Sequence, residues 1–304
     1  MTEAALGKDT AIVTAADGGY FPLLKGLVHS IRDLERSRDV PERTAIKVAD
    51  IGLTPEQRDE LSAHCDILEN PPIELPAPRD GEMTPLRAGC AVKIQLRKLF
   101  PGYRLYIWID ADAWVQEWGA LQLLEIAGRK YGFAAVPEID RAYKMLYDRE
   151  SRFYWGLFNW NADCFGREAA EQLKGLPVVN AGILALRADS PIWDAWSRAF
   201  QVAYSNAQEF ANDQSALNYA IYFDKVRFYA LPSLCNWICT QAAPRLDLHT
   251  LALTEPLMPY QRLGIVHLTN SPLRGKPVAV PVSDGTTREM QIDYLSVRAL
   301  RGIA

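Results

Sequence analysis

Eight consecutive residues, Leu105-Tyr106-Ile107-Trp108-Ile109-Asp110-Ala111-Asp112, constrain this chain more than any other stretch. The first five are all apolar or aromatic, the pattern of a strand buried on both faces of an α/β sheet. Its carboxyl end then delivers two short carboxylates separated by one alanine. In an open α/β sheet that edge is where ligands bind, and paired aspartates there suit a hard divalent cation. Taken alone, an Asp-Ala-Asp (DXD) triplet is also what a solvated turn supplies after a strand.

The residues upstream repeat one rhythm. Thr10 to Ala15 reads as a strand broken by Asp17-Gly18-Gly19, and Tyr20 to Leu34 carries apolar residues at helical spacing. Ala45 to Ile51 is a second strand. Thr54-Pro55-Glu56-Gln57 has the form of a capping box with proline in the first turn. Cys65 to Leu68 is a third strand, and a loop follows with prolines at 71, 72, 76, 78 and 85. Leu86 to Leu99 reads as one helix leading into the central strand, Arg104 to Ile109. Alternating strands and helices predict a mostly parallel sheet flanked by helices. Residues 10–113 are therefore expected to form a nucleotide-binding half.

The remainder is less regular. Tyr131 to Val136, Val178 to Leu186, Val226 to Leu231 and Gly264 to Leu268 read as strands. Pro191 to Asn206 and Asn212 to Phe223 read as helices. Between Arg141 and Gly166 lie Tyr143, Tyr147, Phe153, Tyr154, Trp155, Phe158, Trp160 and Phe165 in a polar setting. They are expected to form a loop whose rings provide an acceptor platform, with Asp163 positioning a hydroxyl; satellite core or an oligomer contact explains them equally well. No linker or repeat interrupts the chain, so residues 1–304 are expected to form a single domain. Within it, 114–285 is an elaborated acceptor-side half and 286–304 a helical tail. The apolar stripe Tyr294, Leu295, Val297, Leu300 on that tail suits either self-association or docking on its own domain.

Bulk composition excludes several classes. A net charge of −4 with interspersed signs gives no electrostatic basis for nucleic-acid binding. No apolar window is long enough to span a bilayer, and the amino terminus lacks the form of a signal peptide. The five cysteines are an odd number near apolar runs, as expected for free thiols in a reducing, cytoplasmic setting. Neither GxGxxG nor a Walker loop occurs, and Cys235-x-x-x-Cys239 has no second pair for zinc.

Five motifs occur in a recognisable order: Val13-Thr14-Ala15-Ala16-Asp17-Gly18-Gly19-Tyr20, Asp110-Ala111-Asp112, Val179-Asn180-Ala181-Gly182-Ile183, Asn212-Asp213-Gln214-Ser215-Ala216-Leu217-Asn218, and Val266-His267 with Lys276-Pro277. In these the chain resembles the retaining glycosyltransferases of family 8, the glycogenin and lipopolysaccharide-galactosyltransferase group, from about Ala11 to Pro277. The resemblance implies the GT-A fold and transfer of a hexose from a UDP-sugar to a sugar, lipid-linked or protein acceptor. It implies Mn²⁺, with Mg²⁺ as the alternative, held by Asp110, Asp112 and His267. Thr14, Ala15, Ala16, Asp17 and Tyr20 match the nucleoside pocket. Lys93, Ala111 and Lys276 match contacts to the donor, Asn180 and Gln214 surround the transferred sugar, and Asp213 lies near its anomeric carbon. Two departures bear on affinity and donor choice. The run from His267 to Lys276 is three residues longer than usual with Asn270 in place of glycine and Val278 in place of tryptophan, and Gly19 replaces an asparagine.

Each position also has a plainer explanation. His267 on an apolar strand suits a satisfied core histidine, Asp17 and Tyr20 a helix cap and a buried ring, and Lys93 a solvated face. Asn180, Asp213 and Gln214 suit strand-end and helix-cap polarity. Two rival functions share the scaffold. A nucleotidyltransferase would carry a basic glycine-rich loop after the first strand, which Asp17-Gly18-Gly19-Tyr20 is not. A non-catalytic UDP-binding scaffold would bind UDP without turnover.

Overall fold

The computed structural model describes residues 5–38, 43–75, 83–148, 152–207, 212–269, 273 and 275–303. Pro76 and Pro78 of the proline-rich loop and Asn270 of the lengthened run lie outside them.

Strand β1 (Thr10–Ala16) leads into helix α1 (Phe21–Ser37), then β2 (Ala45–Asp50), α2 (Pro55–Leu61) and β3 (Asp66–Leu68). The expected capping box is present: Thr54 Oγ1 accepts from Gln57 N, and Gln57 Oε1 accepts from Thr54 N. The helix expected over Leu86 to Leu99 is two, α3 (Pro85–Lys93) and α4 (Leu96–Leu99). At the break, the Gln95 side chain pairs with both backbone groups of Glu74 and anchors the end of the preceding loop.

Strand β4 (Leu105–Ile109) comes next, then β5 (Ala113–Val115), α5 (Trp118–Tyr131) and β6 (Phe133–Pro137). Gly132, at φ +81°, closes α5 in the left-handed conformation that a side chain would strain. After α6 (Arg152–Phe165) and α7 (Arg167–Leu173) the chain returns as β7 (Val179–Arg187), α8 (Ile192–Asn206), α9 (Asn212–Tyr222) and β8 (Tyr229–Ala230).

The main sheet has the order β3-β2-β1-β4-β7-β6-β8. Pairing is parallel from β3 to β4, antiparallel on both sides of β7, and parallel again at β8. The mainly parallel α/β sheet flanked by helices is thus present. Every residue of β4 is buried. Leu105, Ile107 and Ile109 pack with α1 and α5, whereas Tyr106 and Trp108 pack with α3, α8 and α9. Complete burial of each such side chain contributes about 1.5–3 kcal/mol.

A second, small sheet carries the site's other half. It comprises β5, β9 (Trp237–Ile238) and β12 (Ile265–His267), with β12 central, antiparallel to β5 and parallel to β9. The hairpins β10 (Arg245–Asp247) with β11 (Ala252–Thr254) and β13 (Val278–Pro281) with β14 (Thr287–Met290) surround it. The 286–304 segment therefore begins as strand, and it is helical only at α10 (Tyr294–Leu300). That helix docks on α1, where Tyr294 Oη and Arg298 Nε both donate to Asp33 Oδ2, at 2.6 and 2.7 Å. Among the described residues, no helix is long and apolar enough to cross a membrane.

Candidate functional site

Two turns bring the acidic corner together. Beyond β4, Ala113 N donates to Asp110 O at 2.9 Å, so the chain reverses and both aspartates stay at the sheet rim. Because β12 pairs with β5, His267 lies opposite Ala113, next to Asp112. Its Nε2 is 3.2 Å from Asp112 Oδ1 and 3.8 Å from Asp110 Oδ2. Ligand atoms of the three residues all lie within 4.8 Å of one another, and this is the one such group of metal-binding side chains among the described residues.

The histidine is both buried and aimed. It is 2% exposed, and its Nδ1 is 2.8 Å from Asn236 Oδ1. Asn236 Nδ2 donates to Asn180 Oδ1 at 3.0 Å, which orients the amide so that its oxygen receives the imidazole proton. With Nδ1 engaged by Asn236, Nε2 is the nitrogen placed to offer a lone pair to a cation between it and the two carboxylates. A ligating histidine is oriented by a partner on its other nitrogen in this way. Tyr143 holds the Asn236 segment: its hydroxyl donates to Asn236 O at 3.3 Å and accepts from Ile238 N at 2.9 Å.

On the other side, Lys93 bridges two carboxylates. Its Nζ is 2.9 Å from Asp110 Oδ1 and 2.8 Å from Asp213 Oδ2, and it sits 5.4 Å from the Trp108 ring centroid. Burial works against the ammonium, but Asp110 and Asp213 outweigh it and hold the lysine above its ordinary value. This is not a solvated face lysine. Burial pushes Asp110 above the ordinary carboxylate range, with Lys93 and His267 opposing and Asp112 adding to the rise. Trp108 Nε1 also donates to Asp110 Oδ1, at 2.7 Å.

Asn180 is the junction of the whole network. Its Nδ2 donates to Glu138 Oε1 at 2.8 Å and to Gln214 Oε1 at 3.1 Å, and its Oδ1 accepts from Gly182 N at 2.8 Å. A side chain at Gly182 has no room: a Cβ would stand 2.4 Å from His267 Cε1 and 2.8 Å from both Asn180 Oδ1 and Asp110 Oδ2. That tightness, with two carboxylates and one aimed imidazole, fits a small divalent cation with a mixed oxygen and nitrogen shell.

The remaining sequence-derived residues are distributed unevenly. Asp17 Oδ1 accepts from Tyr20 N at 2.9 Å and so anchors the turn into α1, while the half-buried Tyr20 packs on the core. Thr14 and Ala16 are buried on the α1 side of β1, leaving Ala15 the more accessible of the three. Ala111 is buried between its two aspartates. Lys276 is exposed just before β13 and makes no ion pair with the acidic group.

The aromatic segment is a correction. Most of it is the helix α6, not a loop; its Cys164 and Phe165 pack against α8 and α9, and Phe165 stacks on Tyr219 at 4.2 Å. Tyr143 is fully buried in the small core, and Asp163 is exposed. Satellite core is therefore the role of Tyr143 and Phe165, whereas Tyr147 and Trp155 are exposed. The Phe153 side chain lies outside the described set.

Sequence reasoning missed Asn236, Glu138, Trp108 as a hydrogen-bond donor, and Gly182 as a steric gate. Glu138 sits 3% exposed directly after β6, its carboxyl raised by burial, against which the Asn180 hydrogen bond and His267 act. A buried polar residue following an apolar strand was the one available signal for it.

No family model matches the sequence, and no curated protein matches it either. Solved structures do. The galactosyltransferase LgtC in complex with donor and acceptor sugar analogs superposes with a TM-score of 0.51 at 16% identity, covering 86% of this chain and 88% of that one. An active-site mutant of LgtC gives a TM-score of 0.50 at 14% identity, over 86% of this chain and 88% of that one. The likeness is one of fold, and the GT-A architecture is the fold observed.

Proposed function

We propose that the chain is a retaining glycosyltransferase that moves a hexose from a UDP-sugar to an acceptor, with Mn²⁺ held by Asp110, Asp112 and His267. One observation carries the reading: ligand atoms from two distant stretches of the chain, Asp110 with Asp112 and His267, converge within 4.8 Å at the sheet rim, where ligands of such sheets bind. When bound, a divalent ion there offsets the charge that gathers on a departing diphosphate.

The chain's own residues supply the rest. Asn236 holds the imidazole through Nδ1, which leaves Nε2 as the nitrogen turned toward the carboxylates. Lys93 keeps Asp110 and Asp213 side by side, two carboxylates that would otherwise repel. Asn180 and Gln214 present an amide cluster suited to sugar hydroxyls. Asp213 acts either as the nucleophile of a double displacement or as a flank to same-face attack; both preserve the anomeric configuration. Asp17, Tyr20 and the Thr14–Ala16 strand end are the proposed nucleoside wall. Lys276 reaches the diphosphate on this reading. The loop after β1 carries no cation, which disfavours a nucleotidyltransferase.

A panel of UDP-hexoses incubated with the protein and Mn²⁺ tests this. UDP release from at least one donor, with the product's anomeric configuration matching the donor by NMR, is the expected result. No Mn²⁺-dependent UDP release from any donor by folded protein would overturn it.

A further inference from the structure

The two oxygens of Asp110 have unlike surroundings. Oδ1 accepts from Trp108 Nε1 at 2.7 Å and from Lys93 Nζ at 2.9 Å. Oδ2 lies on the other side, toward Gly182 and 3.8 Å from His267 Nε2. A carboxylate oxygen offers about two acceptor sites, so two donors fill those of Oδ1. The backbone is pinned as well, because Asp110 N donates to Gly182 O at 2.8 Å. The carboxylate is therefore held with Oδ2 alone toward the space shared with Asp112 and His267.

Trp108 is the more rigid of the two donors. It is 2% exposed and stands in the middle of the main sheet, between Val13 of β1 and Leu184 of β7. Its face also carries the Lys93 ammonium, whose Nζ is 5.4 Å from the ring centroid. One side chain thus fixes both donors on one oxygen, the first by its own N–H and the second by a cation–π contact. A lysine on its flexible stem would not hold the carboxylate as firmly without that ring.

Divalent ions differ in what they draw from a carboxylate. Ca²⁺ takes about six to eight oxygen ligands and often uses both oxygens of one carboxylate. The smaller Mg²⁺ demands a near-octahedral shell completed by waters and substrate phosphates, and Mn²⁺ shares that geometry. We propose that Trp108 is a specificity-determining positioning residue. By occupying Asp110 Oδ1 it denies that oxygen to the ion and biases the corner toward Mn²⁺ over Ca²⁺. The proposal rests on the metal reading above and deepens it.

The test measures Mn²⁺ and Ca²⁺ binding to the intact chain in the presence of UDP, by calorimetry and, for Mn²⁺, by the EPR signal of the free ion. Two variants remove the indole N–H. One is Trp108→Phe; the other replaces Trp108 site-specifically with 3-benzothienylalanine, which keeps the bicyclic shape and decides the matter if Trp108→Phe does not fold. Wild type prefers Mn²⁺, and in the variants the ratio of Mn²⁺ to Ca²⁺ affinity falls about tenfold, the worth of one hydrogen bond to a charged group. A bond that served only to satisfy a buried indole would weaken both ions alike. An unchanged ratio therefore overturns the proposal, as does a wild type that binds the two ions equally. Failure of wild type to bind Mn²⁺ at all overturns the metal corner itself, so the two failures are distinct.

Discussion

Replacing Gly182 with alanine strikes the three groups that define the site in one step. The new methyl would lie 2.4 Å from His267 Cε1 and 2.8 Å from Asn180 Oδ1 and Asp110 Oδ2. Non-bonded carbons rest about 3.5–4.0 Å apart, so the imidazole edge must retreat by at least about 1 Å. None of the three neighbours is a loose end. His267 is fixed through Nδ1 by Asn236, Asn180 by Glu138, Gln214 and Asn236 besides Gly182 itself, and Asp110 by Trp108 and Lys93. Overpacking of this kind costs about 1–3 kcal/mol, which lowers Tm by roughly 1.5–5 °C in a chain of 304 residues. The same shift moves a proposed metal ligand out of line, and losing the groups that orient such ligands typically costs about 10- to 100-fold in metal affinity. Differential scanning fluorimetry and calorimetric titration of UDP with Mn²⁺ measure the two effects. A small Tm loss with UDP–Mn²⁺ affinity reduced by about 10- to 100-fold, roughly 1.4–2.7 kcal/mol, is expected. A folded Gly182→Ala protein that binds UDP–Mn²⁺ as tightly as wild type would refute the assignment.

Three further outcomes follow from the same contacts. Lys93→Met leaves the buried Asp213 and the half-buried Asp110 without their shared cation and should lower the unfolding free energy by up to about 3 kcal/mol. Urea denaturation reads that loss, and adding Asp213→Asn should recover part of it. Burial pushes Asp33 up, but hydrogen bonds from Tyr294 and Arg298 overcome this and leave its folded pKa below the ordinary value. The stability it adds is therefore complete above the unfolded value of about 3.9 and disappears as pH falls through the lower folded value. The Tm gap between wild type and Asp33→Asn should hold steady at neutral pH and narrow below about pH 4; a gap unchanged at low pH would contradict the α10 docking role. Finally, burial pushes the Cys65 and Cys235 thiols up to about 12 and raises Cys90 and Cys239 as well. Ellman's reagent should react slowly with the native protein and with all five thiols once it is unfolded.

The parts of this molecule that were legible in the sequence are those set by local chemistry. Five apolar residues in a row gave β4, the spacing of Leu24, Leu27, Val28 and Ile31 gave α1, and Thr54 with Gln57 gave the start of α2. Helix α5 left no comparable trace. Leu123 and Ile126 are exposed apolar residues on its outer face, and Gly119 and Gly128 interrupt it, so no clean stripe survives. Helix α6 was hidden by its aromatic density. The small sheet was only partly legible: β12 showed as the apolar run Gly264 to Leu268, but its partners β9 and β5 span only two and three residues, too few to show a period of two. Yet their pairing decides what His267 faces. That histidine was found through motif order alone, whereas Asn236, whose role exists only once β9 lies beside β12, had no local signature at all.

Calorimetric titration of UDP with and without Mn²⁺, in wild type and in Asp112→Ala, tests the metal corner most directly. Wild type should bind UDP far more tightly with Mn²⁺ than without, and folded Asp112→Ala should show no such difference. Equal UDP affinity in both proteins, whatever the metal, would mean that Asp110, Asp112 and His267 are not the nucleotide's metal site.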